Sequence, residues 1–221
     1  MSINPDPISS HRLMFITHPT PRYTETEEVD MVLEGGCSWI QLRMKEAISL
    51  QTATAVSLRC QTHAPKAILC INDHVDIALA CGASAVHVGK KDLSPDEIRM
   101  HIQKAKRPVP FWIGATANTF EDIQLAVRKG ASYIGLGPYR FTETKKQLSP
   151  VLGLNGYRKI INQCRDEGIE IPIFAIGGIE LPDVKLLMNT GITGIAVSGA
   201  ILRSTDPIIE TQRFLNEIMI N

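Results

Sequence analysis

The sequence predicts a single-domain α/β fold, the (β/α)₈ or TIM barrel. Eight short apolar runs alternate strictly with longer amphipathic stretches, as parallel strands buried on both faces alternate with helices. The length of 221 residues suits one such barrel. Periodicity alone also allows an open, doubly wound sheet, which stays as the alternative. We expect residues 12–221 to form the barrel and residues 1–11, which are polar and hold two prolines, to form a flexible arm.

The elements follow from these patterns in order. The predicted strands are Leu13–Thr17, Trp39–Arg43, Ala67–Asn72, Ala85–Val88, Phe111–Ala115, Tyr133–Leu136, Ile173–Ile176 and Gly194–Val197. The predicted helices are Thr24–Glu34, Leu50–His63, His74–Ala80, Pro95–Lys104, Phe120–Lys129, Tyr157–Glu167, Pro182–Asn189 and Pro207–Ile218. Ser94-Pro95 and Asp206-Pro207 each predict a helix start, because an N-cap residue precedes a proline at the first helical position.

Composition excludes several classes of protein. There are 23 acidic and 23 basic residues, so the formal net charge is zero, and we expect neither a nucleic-acid nor a membrane partner. No apolar segment approaches the roughly 20 residues that span a bilayer. The five cysteines lie among apolar neighbours without a Cys-x-x-Cys pair, which predicts buried, reduced thiols in a cytoplasmic protein rather than a zinc site. The sequence leaves the oligomeric state open, including a homo-oligomer.

Chemistry in such a barrel lies at the carboxyl ends of the strands. The second run ends in Gln41-Leu42-Arg43-Met44-Lys45, and alternation places Gln41, Arg43 and Lys45 on one side. An amide, a guanidinium and an ammonium that point the same way into the mouth suit a polyphosphate. The alternative is an ordinary solvated strand end.

Two aspartates follow neighbouring strands. Asp73 comes directly after Asn72 at the end of the third run, and Asp92 follows the fourth. Carboxylates at this position, beside a phosphate site, suit one Mg²⁺ that is completed by phosphate oxygens and water. Taken singly, each aspartate is better explained as a helix or turn cap, but together with the basic strand end they favour the metal.

Weaker signals follow the fifth and sixth strands. Thr116 offers a hydroxyl at the mouth. The longest stretch without a helical pattern runs from the sixth strand to about Asn155 and carries Thr142, Thr144 and Lys145, which could bind phosphate. A polar loop without a role is equally compatible with this pattern.

The histidines say less. His87 has apolar neighbours, which favours a histidine satisfied within the core, and His18 ends the first strand, where it could reach the mouth. Neither is assigned a role from the sequence.

Small residues follow the last two strands, and they give the strongest fold-level signal in the sequence. Gly177-Gly178 follows the seventh run, and Ser198-Gly199 follows the eighth. Backbone N–H groups at this place in a barrel commonly hold a phosphate. The pattern therefore predicts a phosphate site but not which phosphate.

Five ordered motifs, from Leu13 to the C-terminus, make the sequence resemble the thiamine phosphate synthase family. They are Gln-Leu-Arg-x-Lys, Asn-Asp, His-x-Gly-x-x-Asp, Gly-Pro followed by Thr-x-Thr-Lys, and Ile-Gly-Gly-Ile. The resemblance implies a transferase that joins hydroxymethylpyrimidine diphosphate to hydroxyethylthiazole phosphate and releases pyrophosphate. It assigns the pyrimidine diphosphate to Gln41, Arg43, Lys45 and Asn72, with Thr116 near the diphosphate, and Mg²⁺ to Asp73 and Asp92. It assigns the thiazole phosphate to Thr142, Thr144, Gly178, Ser198 and Gly199, and the diphosphate to Lys145.

The implied mechanism is loss of diphosphate from a stabilised pyrimidine cation, followed by attack of the thiazole nitrogen. Arg43, Lys45 and Lys145 would neutralise charge on the leaving group. Three positions depart from the family pattern: Thr116 replaces a serine, Glu143 stands where proline is frequent, and Ser198-Gly199 stands where Val-Ser is usual.

Three other readings compete with this one. A thiazole tautomerase of the same superfamily would not need the diphosphate and metal motifs. A non-catalytic barrel that binds thiamine intermediates would retain binding without turnover. A sugar-phosphate epimerase would need an acid/base pair, which the sequence does not offer.

Overall fold

A computed structural model describes residues 7–18, 20–44, 49–105, 111–141 and 150–220. Its strands are β1 (Leu13–Ile16), β2 (Trp39–Leu42), β3 (Ile68–Asn72), β4 (Ala85–Val88), β5 (Trp112–Ala117), β6 (Tyr133–Leu136), β7 (Ile173–Ile176) and β8 (Gly194–Val197). Each strand pairs in parallel with the next, and β8 pairs with β1. The closed barrel confirms the predicted fold and excludes the open sheet.

Helices pack around the barrel and connect its strands. They are α1 (Pro7–Ser10), α2 (Glu25–Glu34), α3 (Leu50–His63), α4 (Val75–Ala80), α5 (Pro95–Lys104), α6 (Phe120–Arg128), α7 (Gly153–Asp166), α8 (Val184–Met188), α9 (Gly199–Leu202) and α10 (Pro207–Met219). A 3₁₀ turn over Leu181–Asp183 leads into α8. Within the described ranges, none of these helices has the length and apolarity needed to cross a bilayer.

The predicted helix starts are formed as expected. Ser94 caps α5 in a reciprocal pair with Glu97, whose carboxylate accepts from the Ser94 backbone N–H at 2.8 Å. Asp206 caps α10 by accepting from the N–H groups of Ile208 and Ile209. Such caps satisfy the backbone donors that a helix leaves unpaired at its first turn.

The interior of the barrel is apolar at the amino ends of the strands. Trp39, Tyr133 and Phe174 are fully buried there, with ring centroids 4.7 to 5.9 Å apart in edge-to-face contacts. Ile8 of α1 belongs to the same cluster and is 0% exposed. The predicted arm over residues 1–11 is therefore too long, because α1 packs onto the bottom of the barrel and buries an apolar side chain there.

Several elements differ from the prediction, mostly by one or two residues at their ends. β5 extends to Ala117, so Thr116 lies inside the strand, where its hydroxyl pairs with His87 on the neighbouring strand β4. α7 begins at Gly153, four residues before the predicted Tyr157. α9 is one turn of helix, too short to produce a helical pattern in the sequence.

All five cysteines are free and buried. Burial raises the pKa of the Cys37 thiol to about 11 and the pKa values of Cys60 and Cys70 to about 12. These thiols are therefore protonated and unreactive near neutral pH, which confirms the prediction of buried, reduced cysteines.

Candidate functional site

A cavity opens at the carboxyl ends of the strands, where the sequence predicts the chemistry. Seven of the predicted site residues line it: Gln41, Arg43, Asn72, Thr116, Gly178, Ser198 and Gly199. They come from five different strand ends, so the barrel brings together residues that are far apart in the sequence. We call Gln41, Arg43 and Asn72 the side-chain half of the mouth, and Gly178, Ser198 and Gly199 the backbone half.

Arg43 is fixed to the end of the neighbouring strand. The Thr17 hydroxyl accepts from the Arg43 N–H at 2.8 Å and donates to the Arg43 carbonyl oxygen at 2.9 Å. Thr17 is 0% exposed, so the clamp is protected from water. The Arg43 backbone, one residue beyond β2, thus stays in register with β1, and Arg43 lines the cavity together with the buried Gln41. This confirms the predicted alternation for these two residues.

The two aspartates lie at the tops of adjacent strands. Asp73 follows β3 and takes a backbone φ of 65°, a conformation that non-glycine residues seldom adopt. Its N–H donates to the His87 carbonyl oxygen, and its carboxylate accepts from the Asn72 amide at 2.6 Å. Asp92 closes the turn after β4, because its carboxylate accepts from the Gly89 N–H at 2.8 Å. Both side chains are exposed at the rim, outside the cavity lining.

The donor set at this rim suits a hard divalent cation. Both aspartates offer carboxylate oxygens, the ligands that Mg²⁺ prefers. The unusual φ of Asp73 turns its side chain in a direction that an ordinary strand end would not give, and such conformations concentrate at ligand sites. Among the described residues, no group of three or more His, Cys, Asp or Glu could hold a metal. A cation at this rim would therefore need oxygens from a ligand as well.

His87 links two interior layers of the barrel. Its Nε2 lies 3.1 Å from the Thr116 hydroxyl and its Nδ1 lies 3.3 Å from the Tyr133 hydroxyl. Burial raises the pKa of Tyr133 well above its usual value, so that hydroxyl stays protonated. Gly114 and Gly135 leave the room for this ring, since a Cβ at either position would lie within 3 Å of it. His87 is therefore a satisfied interior histidine that also lines the cavity floor.

The turn after β7 provides the first part of the backbone half. Gly177 and Gly178 have φ values of 101° and 65°, the left-handed region that glycine tolerates. A Cβ on Gly178 would lie 2.9 Å from the Phe141 carbonyl oxygen and 3.0 Å from the Arg140 Cβ. The turn thus requires glycine both for its conformation and for its close contact with the neighbouring loop.

Arg140 and Asp183 brace this turn from behind. Two Arg140 nitrogens donate to the two Asp183 carboxylate oxygens, each at 2.8 Å, and Asp183 is 8% exposed. Burial by itself raises the pKa of Asp183, but the hydrogen bonds from Arg140, the Glu180 N–H and Tyr139, together with the charge of Arg140, outweigh it and leave that pKa below the usual range. The pair is therefore ionised at neutral pH.

Ser198 and Gly199 complete the backbone half at the end of β8. Gly199 begins α9, and the Arg203 guanidinium lies directly against its Cα. Among the described residues, the buried Ser198 Oγ has no hydrogen-bond partner. A buried hydroxyl in this state is costly unless a ligand or water satisfies it. Arg203 also pairs with Glu180 at 2.6 Å, and both residues line the cavity.

Glu28 is a buried carboxyl group of α2 that contacts a residue of the cavity lining. It is 0% exposed, and one oxygen accepts from the His18 N–H at 3.0 Å. Its second oxygen has no partner among the described residues. Burial raises the pKa of Glu28 to about 8, so the group is mostly protonated at neutral pH. It anchors the loop after β1, where His18 lines the cavity as the sequence suggested.

Sequence reasoning missed several residues of the mouth. Asn118, Glu180 and Arg203 line the cavity, and Arg140 braces it. Asn118 could have been suspected, because it follows Thr116 at the spacing that keeps one side of a strand. The others reach the mouth through long-range contacts that no local pattern shows. Of the predicted residues, Lys45, Thr142, Thr144 and Lys145 lie outside the described residues, as does Glu143.

A family comparison agrees with this geometry. The sequence profile described as Thiamine monophosphate synthase matches residues 13–201, which include all eight strands. The chain belongs to the thiamine monophosphate synthase family. The match covers both halves of the mouth.

Similar curated proteins carry the name of the family. The chain is 51% identical over 205 residues to the thiamine-phosphate synthase of Bacteroides fragilis, with 92% of this chain and 98% of that protein covered. Identity to the protein of that name from Bacteroides thetaiotaomicron is 50% over 205 residues, covering 92% and 96%. For Flavobacterium johnsoniae it is 41% over 214 residues, covering 96% and 98%. These matches confirm the resemblance over nearly the whole chain.

Solved structures support the same conclusion. The thiamine phosphate pyrophosphorylase from Pyrococcus furiosus superposes with a TM-score of 0.81 at 29% identity, covering 96% of this chain and 97% of that one. A 3-hexulose-6-phosphate synthase superposes with a TM-score of 0.66 at 17% identity, covering 94% and 99%. The second likeness shows the barrel fold alone, because fold by itself does not carry function.

Proposed function

We propose that this member of the thiamine monophosphate synthase family condenses hydroxymethylpyrimidine diphosphate with hydroxyethylthiazole phosphate, giving thiamine phosphate and pyrophosphate. One observation carries the proposal: a single cavity presents cationic and amide side chains on one side and a glycine-rich turn on the other. Two such anion sites that face each other suit a reaction between two phosphorylated molecules.

The side-chain half would bind the pyrimidine diphosphate. Arg43 offers a planar fork of donors for the diphosphate oxygens, and Thr17 holds its backbone in place. Gln41 and Asn72 offer amides to polar atoms of the ring. Thr116 keeps the hydroxyl of the family serine, and its bond to His87 fixes the hydroxyl inside the cavity. Lys45 and Lys145, which the resemblance also assigns to the diphosphate, are part of the proposal on that ground alone.

Asp73 and Asp92 would hold Mg²⁺ at the rim of the side-chain half. Bound Mg²⁺ would supply charge neutralisation on the leaving diphosphate. Asn72 orients the Asp73 carboxylate, and the Gly89 N–H orients the Asp92 carboxylate. Asp92 therefore also has the turn contact that the sequence offered as the alternative, whereas the N-cap position of α4 is His74 and not Asp73. Such hydrogen bonds from neighbouring groups orient metal-binding carboxylates.

The backbone half would hold the thiazole phosphate. N–H groups of the turn at Gly178 and the hydroxyl of Ser198 are the donors, with Gly199 at the start of α9 beside them. Ser198 stands where the family usually has valine and Gly199 where it usually has serine, so the pair keeps one hydroxyl donor, moved by one residue. Thr142 and Thr144 complete the site in the proposal by resemblance only.

In this reaction the protein would orient the two substrates and stabilise the charges that develop on them. As the bond from the pyrimidine methylene to diphosphate breaks, negative charge grows on the leaving oxygens, and Arg43 is placed to stabilise it. The thiazole nitrogen then bonds to the cationic methylene while its phosphate stays fixed in the backbone half. The thiazolium product carries the positive charge, so no general base is required at this step.

A coupling assay tests the proposal. Purified protein, both substrates and Mg²⁺ are mixed, and thiamine phosphate is followed by oxidation to a fluorescent thiochrome. We expect product that disappears when EDTA is added and returns with excess Mg²⁺. Binding of the thiazole phosphate in calorimetry without product would contradict the proposal, and it would favour a thiazole tautomerase or a binding protein.

The cellular setting is part of the proposal. Five free, buried thiols suit the reducing cytoplasm. The partners proposed are the two small-molecule substrates and Mg²⁺, with neither a nucleic acid nor a membrane. Whether the chain forms a homo-oligomer stays a prediction to be tested by light scattering.

A further inference from the structure

The carbonyl groups of the turn after β7 are held on one side by a single residue. The Arg140 backbone N–H donates to the Gly177 carbonyl oxygen at 2.9 Å. The Arg140 guanidinium donates to the Gly178 carbonyl oxygen at 2.8 Å. Two successive peptide groups therefore have their oxygens directed at Arg140.

This arrangement fixes where the N–H groups point. In a trans peptide group the C=O and N–H bonds point in opposite directions. The N–H groups of Gly178 and Ile179 must then point away from Arg140, and both residues line the cavity. Neither N–H has a protein acceptor among the described residues. Two successive, unused N–H groups that converge on a cavity are an anion-binding nest.

Arg140 is in turn held in place by its own partner. Its guanidinium makes a two-bond fork with the Asp183 carboxylate, and Asp183 also accepts from the Glu180 N–H at 2.9 Å. Tyr139 adds a third contact, with its hydroxyl 3.4 Å from Asp183. Asp183 therefore ties the guanidinium to the start of the 3₁₀ turn, so the brace and the nest move as one unit.

Arg140 does not line the cavity itself. Its side chain is 49% exposed, on the far side of the turn, and its charge is balanced by Asp183. Its contribution to an anion in the cavity is therefore indirect, through the direction of the peptide groups.

We infer that Arg140, held by Asp183, is a positioning residue that aims the Gly178 and Ile179 N–H groups at the phosphate of the thiazole substrate. The inference rests on the proposed function. A phosphate can be bound by a cationic side chain that contacts it directly. It can also be bound by backbone N–H groups, and here the direction of those groups would depend on Arg140, which does not contact the phosphate.

The test compares Arg140→Gln with Arg140→Lys and with a matched arginine variant far from the mouth. Arg165→Gln is the control, because Arg165 lies in the last turn of α7, at the opposite end of the barrel. Each protein is titrated by calorimetry with hydroxyethylthiazole phosphate and, separately, with hydroxymethylpyrimidine diphosphate and Mg²⁺. Thermal melts check that each variant is folded.

Arg140→Gln keeps the backbone bond to the Gly177 oxygen but removes the guanidinium bond to the Gly178 oxygen, which orients the peptide group of the Ile179 N–H. We expect this loss to weaken thiazole phosphate binding by roughly 10-fold. Arg140→Lys should restore part of it, because lysine keeps a donor and the charge but not the fork. Binding of the pyrimidine diphosphate should stay within about twofold of the wild type in all variants. In turnover, KM for the thiazole phosphate should rise while kcat and KM for the diphosphate change little.

Other outcomes overturn the inference in distinguishable ways. If the wild type binds both substrates and Arg140→Gln binds the thiazole phosphate equally well, Arg140 has no positioning role, although the proposed function stands. If Arg140→Gln weakens both ligands alike, its role is general stability rather than the nest. If the wild type binds neither ligand, the proposed function fails and the inference fails with it.

Discussion

In the proposed function, the two halves of the mouth bind anions by different physical means. The side-chain half would use Arg43 and two amides on the ends of β2 and β3, and each donor is a property of one residue. The backbone half uses peptide N–H groups whose direction depends on φ values of 101° and 65° and on contacts with Arg140. Binding in the side-chain half can be altered by replacing a donor side chain. Binding in the backbone half is altered by changing the conformation of the turn.

Removing the charge from the side-chain half should have the largest effect. Arg43→Met keeps length and apolar contacts but loses every donor, so kcat should fall by roughly 10² to 10³, the scale seen when one transition-state stabiliser is removed. KM for the thiazole phosphate should change by less than about threefold. Steady-state kinetics with each substrate varied in turn measures both quantities. A similar rise in KM for both substrates would show that the two halves of the mouth are not independent.

Changing the shape of the backbone half should come next. In Gly178→Ala the new Cβ meets Phe141 and Arg140 at 2.9 and 3.0 Å, so the turn must shift. KM for the thiazole phosphate should rise by roughly 10- to 100-fold, in line with 1–3 kcal/mol of strain. Gly168→Ala is the control, because Gly168 has a φ of 67° but no atom within 4 Å of the added Cβ. Equal effects of the two variants would mean that backbone strain alone, and not the contact with Arg140, matters.

A substitution at Asp92 tests whether the side-chain half also holds Mg²⁺. Asp92→Asn keeps an oxygen that can accept from the Gly89 N–H, so the turn is retained while the negative charge is lost. We expect the Mg²⁺ concentration for half-maximal turnover to rise by roughly 10-fold with no change in melting temperature. A Mg²⁺ titration of the coupling assay measures this. An unchanged Mg²⁺ requirement would leave Asp92 as a turn cap only.

Glu28 belongs to neither half and should affect stability more than turnover. Because burial raises its pKa to about 8, the folded protein keeps this proton between about pH 4.3 and pH 8, while the unfolded chain loses it. The unfolded state binds fewer protons in that window, so stability falls as the pH rises through it, by about 1.4 kcal/mol per unit at most.

The substitution Glu28→Gln removes this titration. The free energy of unfolding of the variant, measured in urea at several pH values from about 5 to 8, should fall less steeply than that of the wild type. Turnover of the two proteins should agree within about twofold at pH 7. Parallel stability curves would mean that Glu28 keeps an ordinary pKa in the folded protein.

Much of the fold could be predicted from the sequence because its signals are local. All eight strands lie where the alternation of apolar runs places them, and the N-caps at Ser94 and Asp206 mark helix starts correctly. The one-turn helix α9 could not be seen, since four residues carry no helical period. The packing of Ile8 under the barrel depends on contacts with distant strands, so the polar sequence around it suggested a free arm.

The same distinction explains what was predicted in the site. Gln41 and Arg43 could be placed from the alternation within one strand. The brace between Arg140 and Asp183 joins residues 43 positions apart, and no local pattern connects them. Gly178 could be recognised as a candidate for phosphate binding, but the contacts that Arg140 makes with the Gly177 and Gly178 carbonyl oxygens are long-range and leave no local pattern.

A crossed binding experiment tests most directly whether the mouth has two independent halves. Wild type, Arg43→Met and Gly178→Ala are each titrated by calorimetry with the pyrimidine diphosphate plus Mg²⁺ and with the thiazole phosphate. We expect Arg43→Met to lose affinity for the first ligand only and Gly178→Ala for the second only, each by roughly 10-fold or more. Loss of both ligands in either variant, or of neither, would contradict a mouth divided into a side-chain half and a backbone half.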